Sequence, residues 1–168
     1  MTQGKDGVDR VWELIDKVKI AMVVTHDDHL GNLHARPMES HPAREENAIY
    51  FLTDAGSGKV GEIRHDSGVC LCFADTKAQY FVSVTGKARL SDDRARIKRL
   101  WSFTDNAFWD GENDPAIRIL RIEPIEAEYW EGSATLVTYV KMFVAQVTAN
   151  KPSLHDNEKV PLSSEKKG

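Results

Sequence analysis

The chain has 168 residues, with 22 lysines and arginines against 26 aspartates and glutamates, a formal net charge of −4 and a sequence pI near 5.9. That length favours one domain with a real core, and the acidic balance excludes the electrostatic footprint of a nucleic-acid binder. No apolar run approaches membrane-spanning length and the opening residues Met1 to Gly7 carry no hydrophobic signal core, so no membrane is expected and a cytoplasmic home follows.

Val8, Val11, Trp12, Ile15 and Val18 recur at helical spacing and predict a first helix with one apolar side. Ile20 to Thr25 is apolar and β-branched, Asp27 to Asn32 reads as a turn, and Leu33 to Met38 returns as the second strand of a hairpin. His41 to Asn47 is polar and carries Pro42, hence a loop. Ala48 to Thr53 is the next strand, followed by a glycine-bearing turn and a short helix from Ser57 to about His65. Val69 to Ala74 is a continuous apolar run, short enough for a strand covered on both faces. Its cysteines, Cys70 and Cys72, share a face, cannot form an unstrained disulfide, and read as buried reduced thiols.

Tyr80 to Leu90 alternates as a strand packed on one side, and Ser91-Asp92-Asp93 opens a helix with Lys98 and Arg99 near its end, matching the helix dipole. Phe103 to Pro115 reads as an aromatic, acidic loop with a helical turn. Ile117 to Tyr129 is a long last strand, with Pro124 at an edge or bulge. Leu136, Val140, Phe143, Val144 and Val147 predict another helix. From Asn150 the chain is polar and holds two prolines, so residues 1–150 form the domain and 151–168 are expected as a disordered tail. The sum is about six strands with helices at both ends.

One stretch carries chemistry. Tyr50-Phe51-Leu52-Thr53 runs through Gly56-Ser57-Gly58-Lys59 into a helix start, where a capping hydroxyl, unpaired amides and an ammonium converge on one spot that suits a phosphate. Arg36, on the neighbouring strand, can bring a guanidinium to the same place. His26, His29, His34 and His41 match no standard metal spacing, so no metal is expected. The basic run Arg94 to Arg99 reads as a solvated helix face.

In their order, Ala35-Arg36-Pro37-Met38, Tyr50-Phe51-Leu52-Thr53, Ser57-x-Lys59, Val82-Ser83-Val84-Thr85-Gly86, Trp109-x-Gly111 and Glu128-Tyr129-Trp130 resemble the pyridoxamine 5'-phosphate oxidase-like, FMN-binding split-barrel superfamily, in its general stress protein branch. The resemblance spans roughly residues 8 to 148. It implies a mostly β fold, a small antiparallel six-stranded split barrel with peripheral helices, built as a homodimer with FMN at the subunit interface. It also implies a cofactor site made from Arg36, Pro37, Met38, Leu52, Thr53, Ser57 and Lys59, with Trp109 or Trp130 covering the flavin from the partner subunit.

Two departures matter. The Arg-x-His that true pyridoxamine 5'-phosphate oxidases carry near their C-terminus has no counterpart after Trp130, so pyridoxal phosphate synthesis is not expected. Gly58 stands where those oxidases place an arginine in Ser-Arg-Lys, which removes one cation and predicts weaker FMN binding. No residue stands out as a general acid or base, so any redox chemistry would be the flavin's, with an unknown partner. A flavin-binding module without turnover, and a split barrel holding haem or a deazaflavin, remain as alternatives.

Overall fold

A computed structural model of the protein describes residues 3–27, 31–132 and 157–162. Helix α1 (Gln3–Val18) leads into β1 (Ile20–Asp27) and β2 (Asn32–Glu39), which pair antiparallel from Ile20 opposite Glu39 to Asp27 opposite Asn32. Then come β3 (His41–Ala43), a 3₁₀ turn at Arg44–Glu46, β4 (Ala48–Asp54), α2 (Gly58–His65), β5 (Gly68–Asp75), β6 (Tyr80–Ser91), α3 (Arg94–Leu100) and a 3₁₀ turn at Phe103–Ala107. The long β7 (Ile117–Glu131) and the short β8 (Asn157–Pro161) complete the described elements.

All eight strands belong to one antiparallel sheet, in the order β2-β1-β5-β6-β7-β4-β3, with β8 also on β7. The fold is the expected β-rich split barrel, with two strands more than the sequence suggested. The first addition is β3, inside the expected loop at His41 to Asn47. Pro42 is tolerated there because β3 lies at the end of the sheet, where a missing N–H costs no ladder bond on the open side.

The second addition is β8, which corrects the expectation of a disordered tail for these six residues. Asn157 to Pro161 pairs with Trp130 to Glu126, Leu162 N–H donates to the Ile125 carbonyl at 2.8 Å, and Asn47 Nδ2 donates to the Leu162 carbonyl at 2.9 Å. Val160 and Leu162 are buried in the main core, beside Val11, Leu14, Ile15 and Ala127. Two alternating apolar side chains and a partner edge suffice to fix a segment whose other residues are polar. The helix expected over Leu136 to Val147 lies outside the described residues.

Pro124 sits at a bulge, as expected, though β7 is a central strand. Register shifts between Thr85 and Gly86 of β6, so that Gly86 faces Pro124 and Thr85 faces Glu126, leaving Ile125 as the extra residue. Gly86 is required there: a Cβ would stand 2.7 Å from the Glu123 carbonyl oxygen.

β5 departs from its expected double burial. Val69, Leu71 and Phe73 face the core, whereas Cys70 is half-buried and Cys72 exposed, with both thiols free and 3.8 Å apart. Burial and the adjacent Cys70 thiol push the Cys72 thiol up to about 11. The cysteines belong to an outward sheet face where Met22 lies opposite both Pro37 and Cys72, and Phe81 opposite both Ala74 and Trp130. Ile20, Met22 and Phe81 are 50%, 39% and 36% exposed on that face. No helix among the described residues is long and apolar enough to cross a membrane.

Candidate functional site: a cleft at the start of helix α2

β4 is buried along almost its whole length because it pairs with β3 on one side and β7 on the other, with core clusters on both faces. Its last residues therefore arrive at a fixed place. Thr53 is 2% exposed, and Asp54 closes the turn by accepting from Gly56 N–H at 2.7 Å through Oδ1 and from Ser57 N–H at 3.1 Å through its carbonyl. Ser57 takes an extended conformation at the N-cap of α2.

The expected cap is not made by the Ser57 hydroxyl, which bonds no backbone N–H of the helix. It lies instead 3.3 Å from both Thr53 Oγ1 and Lys59 Nζ, while Lys59 also donates to Thr53 Oγ1 at 3.0 Å. Two hydroxyls and an ammonium thus meet beside the start of α2, where the Val60 N–H donates back to the Ser57 carbonyl at 3.0 Å and the amides of Gly58 and Lys59 precede any intrahelical acceptor. Burial, then the nearby Arg36 guanidinium, lower the Lys59 pKa, against a smaller opposing pull from Asp54 and Glu62.

Beside this trio runs a cleft of about 370 Å³, of small-molecule size. Pro37 and Met38 of β2, Leu52 and Thr53 of β4, Lys59, and Trp109 line it, six of the nine residues anticipated from the sequence. His41, Asp105 and Phe108 also line it and were not anticipated. His41 was hidden in an expected loop, and burial lowers its pKa despite Glu39 and Asp105 nearby. Phe108 is 76% exposed and packs its ring 5.8 Å from Trp109, which in turn lies 6.2 Å from Trp101.

Arg36, Ser57 and Trp130 are placed differently. Ser57 belongs to the hydroxyl trio. Arg36 borders the turn, but its terminal nitrogens are taken up by Glu62 of α2, at 3.0 Å and 2.8 Å, and by Thr25 at 2.8 Å. Glu62 was missed because an acid on a short helix ordinarily reads as part of a solvated face; its position three residues after Lys59 was the available signal. Trp130 stands opposite Phe81 on the outward sheet face, away from the cleft of its own chain.

The model of the family described as pyridoxamine 5'-phosphate oxidase-like matches residues 6–153. Among curated proteins, general stress protein 26 of Bacillus subtilis is 28% identical over 127 residues, covering 71% of this chain and 85% of that protein. Protein bli-3 of Neurospora crassa is 25% identical over 146 residues, covering 80% of this chain and 69% of that protein. A crystal structure of a general stress protein 26 from Jannaschia sp. CCS1 superposes with a TM-score of 0.73 at 20% identity, over 94% of this chain and 99% of that one. The general stress FMN/FAD binding protein of Xanthomonas citri superposes with a TM-score of 0.65 at 23% identity, over 78% and 92% of the two chains. The chain belongs to the pyridoxamine 5'-phosphate oxidase-like family, in the branch of general stress protein 26.

Proposed function

We propose that this member of the family binds FMN, with the flavin's phosphate at the start of α2 and its ring in the adjoining cleft. The observation that carries the proposal is the trio of Thr53, Ser57 and Lys59. The Ser57 hydroxyl is not spent on the helix cap, and among the described residues the half-buried ammonium is bonded to hydroxyls, so both can turn to an incoming phosphate. Pro37, Met38, Leu52, Phe108 and Trp109 give the cleft an apolar and aromatic wall suited to a flat ring system. The similar protein from Xanthomonas citri, described as FMN/FAD binding, supports the same ligand class.

When bound, the flavin supplies the electron-transfer chemistry, and the protein acts as an oxidoreductase whose substrate is a separate small redox partner. The chain's own residues bind and orient: Lys59 neutralises phosphate charge, Thr53 and Ser57 donate to its oxygens, and the aromatic wall keeps water from one side of the ring. The family's pyridoxal phosphate synthesis is not part of this proposal, because no Arg-x-His follows Trp130. The outward face carrying Ile20, Met22, Phe81 and Trp130 is where a second copy docks, giving a homodimer that covers about 2,000 Å² or more. Trp130, remote from its own cleft, then lies at the interface.

Absorbance of the freshly purified protein is the first test: a flavin spectrum is expected, and a haem or deazaflavin spectrum refutes the ligand. Titration with FMN and riboflavin is the second. A charge-assisted hydrogen bond contributes about 1.5–3 kcal/mol, so Lys59→Ala should weaken FMN about ten- to a hundredfold and leave riboflavin nearly unchanged. Equal losses for both flavins, or no loss for FMN, would show that the turn is only a helix start. Reduction by a nicotinamide followed by reoxidation separates an enzyme from a flavin store.

A further inference from the structure

We infer that Glu62 sets the strength of the anion site by competing with the ligand's phosphate for Arg36, an inference that rests on the flavin phosphate binding at the start of α2. Arg36 has four terminal N–H groups and one on Nε. Nη1 donates to Thr25 Oγ1 at 2.8 Å and Glu62 Oε2 at 3.0 Å; Nη2 donates to Glu62 Oε1 at 2.8 Å and lies 3.4 Å from His34 Nδ1. Thr25 Oγ1 and the two Glu62 oxygens take three of the four terminal hydrogens, and His34 Nδ1 accepts the fourth only in the tautomer that does not donate to Glu62. A phosphate that seeks the end-on, two-pronged grip of both terminal nitrogens must take it from a carboxylate already in place.

That carboxylate is well held. Glu62 exposes only 12% of its side chain and accepts from Thr25 Oγ1 at 2.5 Å as well as from Arg36, with His34 Nδ1 3.0 Å away. The Arg36 guanidinium first, then Thr25 and His34, hold it down to about 2, so it stays charged across the physiological range. The pair also stands beside the turn: a Cβ on Gly58 would lie 4.0 Å from both Arg36 Nη2 and Glu62 Oε1. The phosphate therefore meets one cation offset by its own counter-charge and a second, Lys59, whose hydrogen bonds are to hydroxyls. The cluster joins β1, β2 and α2, and a purely structural clamp would use the same bonds. The two roles differ in what they do to ligands.

The test is flavin titration of Glu62→Gln, which keeps the shape and removes the charge. FMN affinity should rise about three- to tenfold at low ionic strength, with the gain shrinking as salt is added, and riboflavin affinity should not move. A selective loss of FMN affinity would show that Glu62 positions Arg36 rather than competes for it. Parallel changes for both flavins would show a structural clamp, and either result, or no change, overturns the inference. A second pair of variants guards against misfolding of the first. Arg36→Met leaves Glu62 an unpaired anion beside the site, so adding Glu62→Gln to Arg36→Met should recover FMN affinity, and no recovery refutes the competition. Failure of the phosphate assignment itself reads differently: Lys59→Ala would then not separate FMN from riboflavin.

Discussion

Leu162→Ala tests whether the segment after the long undescribed stretch is part of the folded domain. Leu162 is 6% exposed and packs into the main core with Val160, which is 2% exposed. Burying leucine to alanine substitutions in cores costs about 2–5 kcal/mol, and the lower half applies here because a chain segment at the sheet margin can settle into the space. The backbone bonds of Leu162 to Ile125 and Asn47 survive the substitution, so only side-chain burial is lost. About 2–3 kcal/mol in a domain of this size lowers Tm by roughly 4–12 °C. Thermal denaturation followed by circular dichroism measures it, with Lys159→Ala as the control: that side chain is exposed and should change stability by no more than about 0.5 kcal/mol. Equal Tm values for the parent, Leu162→Ala and Val160→Ala would show that β8 does not dock and that a disordered tail is the right description.

Gly86→Ala should lower stability by about 1–3 kcal/mol in urea unfolding, because its Cβ would meet the Glu123 carbonyl at 2.7 Å and the bulge leaves that backbone nowhere to go. Glu62, held down to about 2, contributes stability that is fully present above the unfolded value of about 4.3 and is lost as pH falls through about 2. Between those limits the parent's stability should fall more steeply on acidification than that of Glu62→Gln; identical slopes would contradict the shift. Met22→Asp, on the outward face, should convert the proposed homodimer to a monomer in light scattering, and a dimer that persists would place the interface elsewhere.

Much of this was legible because local pattern and tertiary outcome agree. The helical recurrence of Val11 and Ile15 marks a side that does pack into the core, and the hydroxyl, glycine and lysine after β4 lie close enough in sequence that one turn brings them together. Pro124 announced a bulge because no central ladder accommodates it otherwise. What stayed hidden depends on partners distant in the chain. The link of Glu62 to Arg36 spans 26 residues, and nothing local distinguishes it from a solvated acid. Cys70 and Cys72 looked buried because an apolar run carries no mark of which face meets the core. β3 and β8 were obscured by polar and proline-bearing composition, which governs isolated segments and yields to an available edge. His41 and Phe108 reach the cleft only through the folding of loops around it.

The pairing of β7 has a consequence for solubility. Along one side Ile119 to Glu131 of β7 meets β6, with Ile125 bulged out; along the other, Ile117 to Ile122 meets β4, and Glu126 to Trp130 meets β8. Without β8, the second half of that side would be a row of unpaired peptide groups on a strand carrying Ile125, Tyr129 and Trp130, the kind of open edge that recruits strands from other molecules. β8 closes it with a short strand whose Lys159 is solvent-facing, a charge that disfavours further growth. A chain cut before Asn157 is therefore expected to form intermolecular sheet and precipitate on warming, visible as thioflavin-positive aggregate at temperatures where the full chain stays in solution.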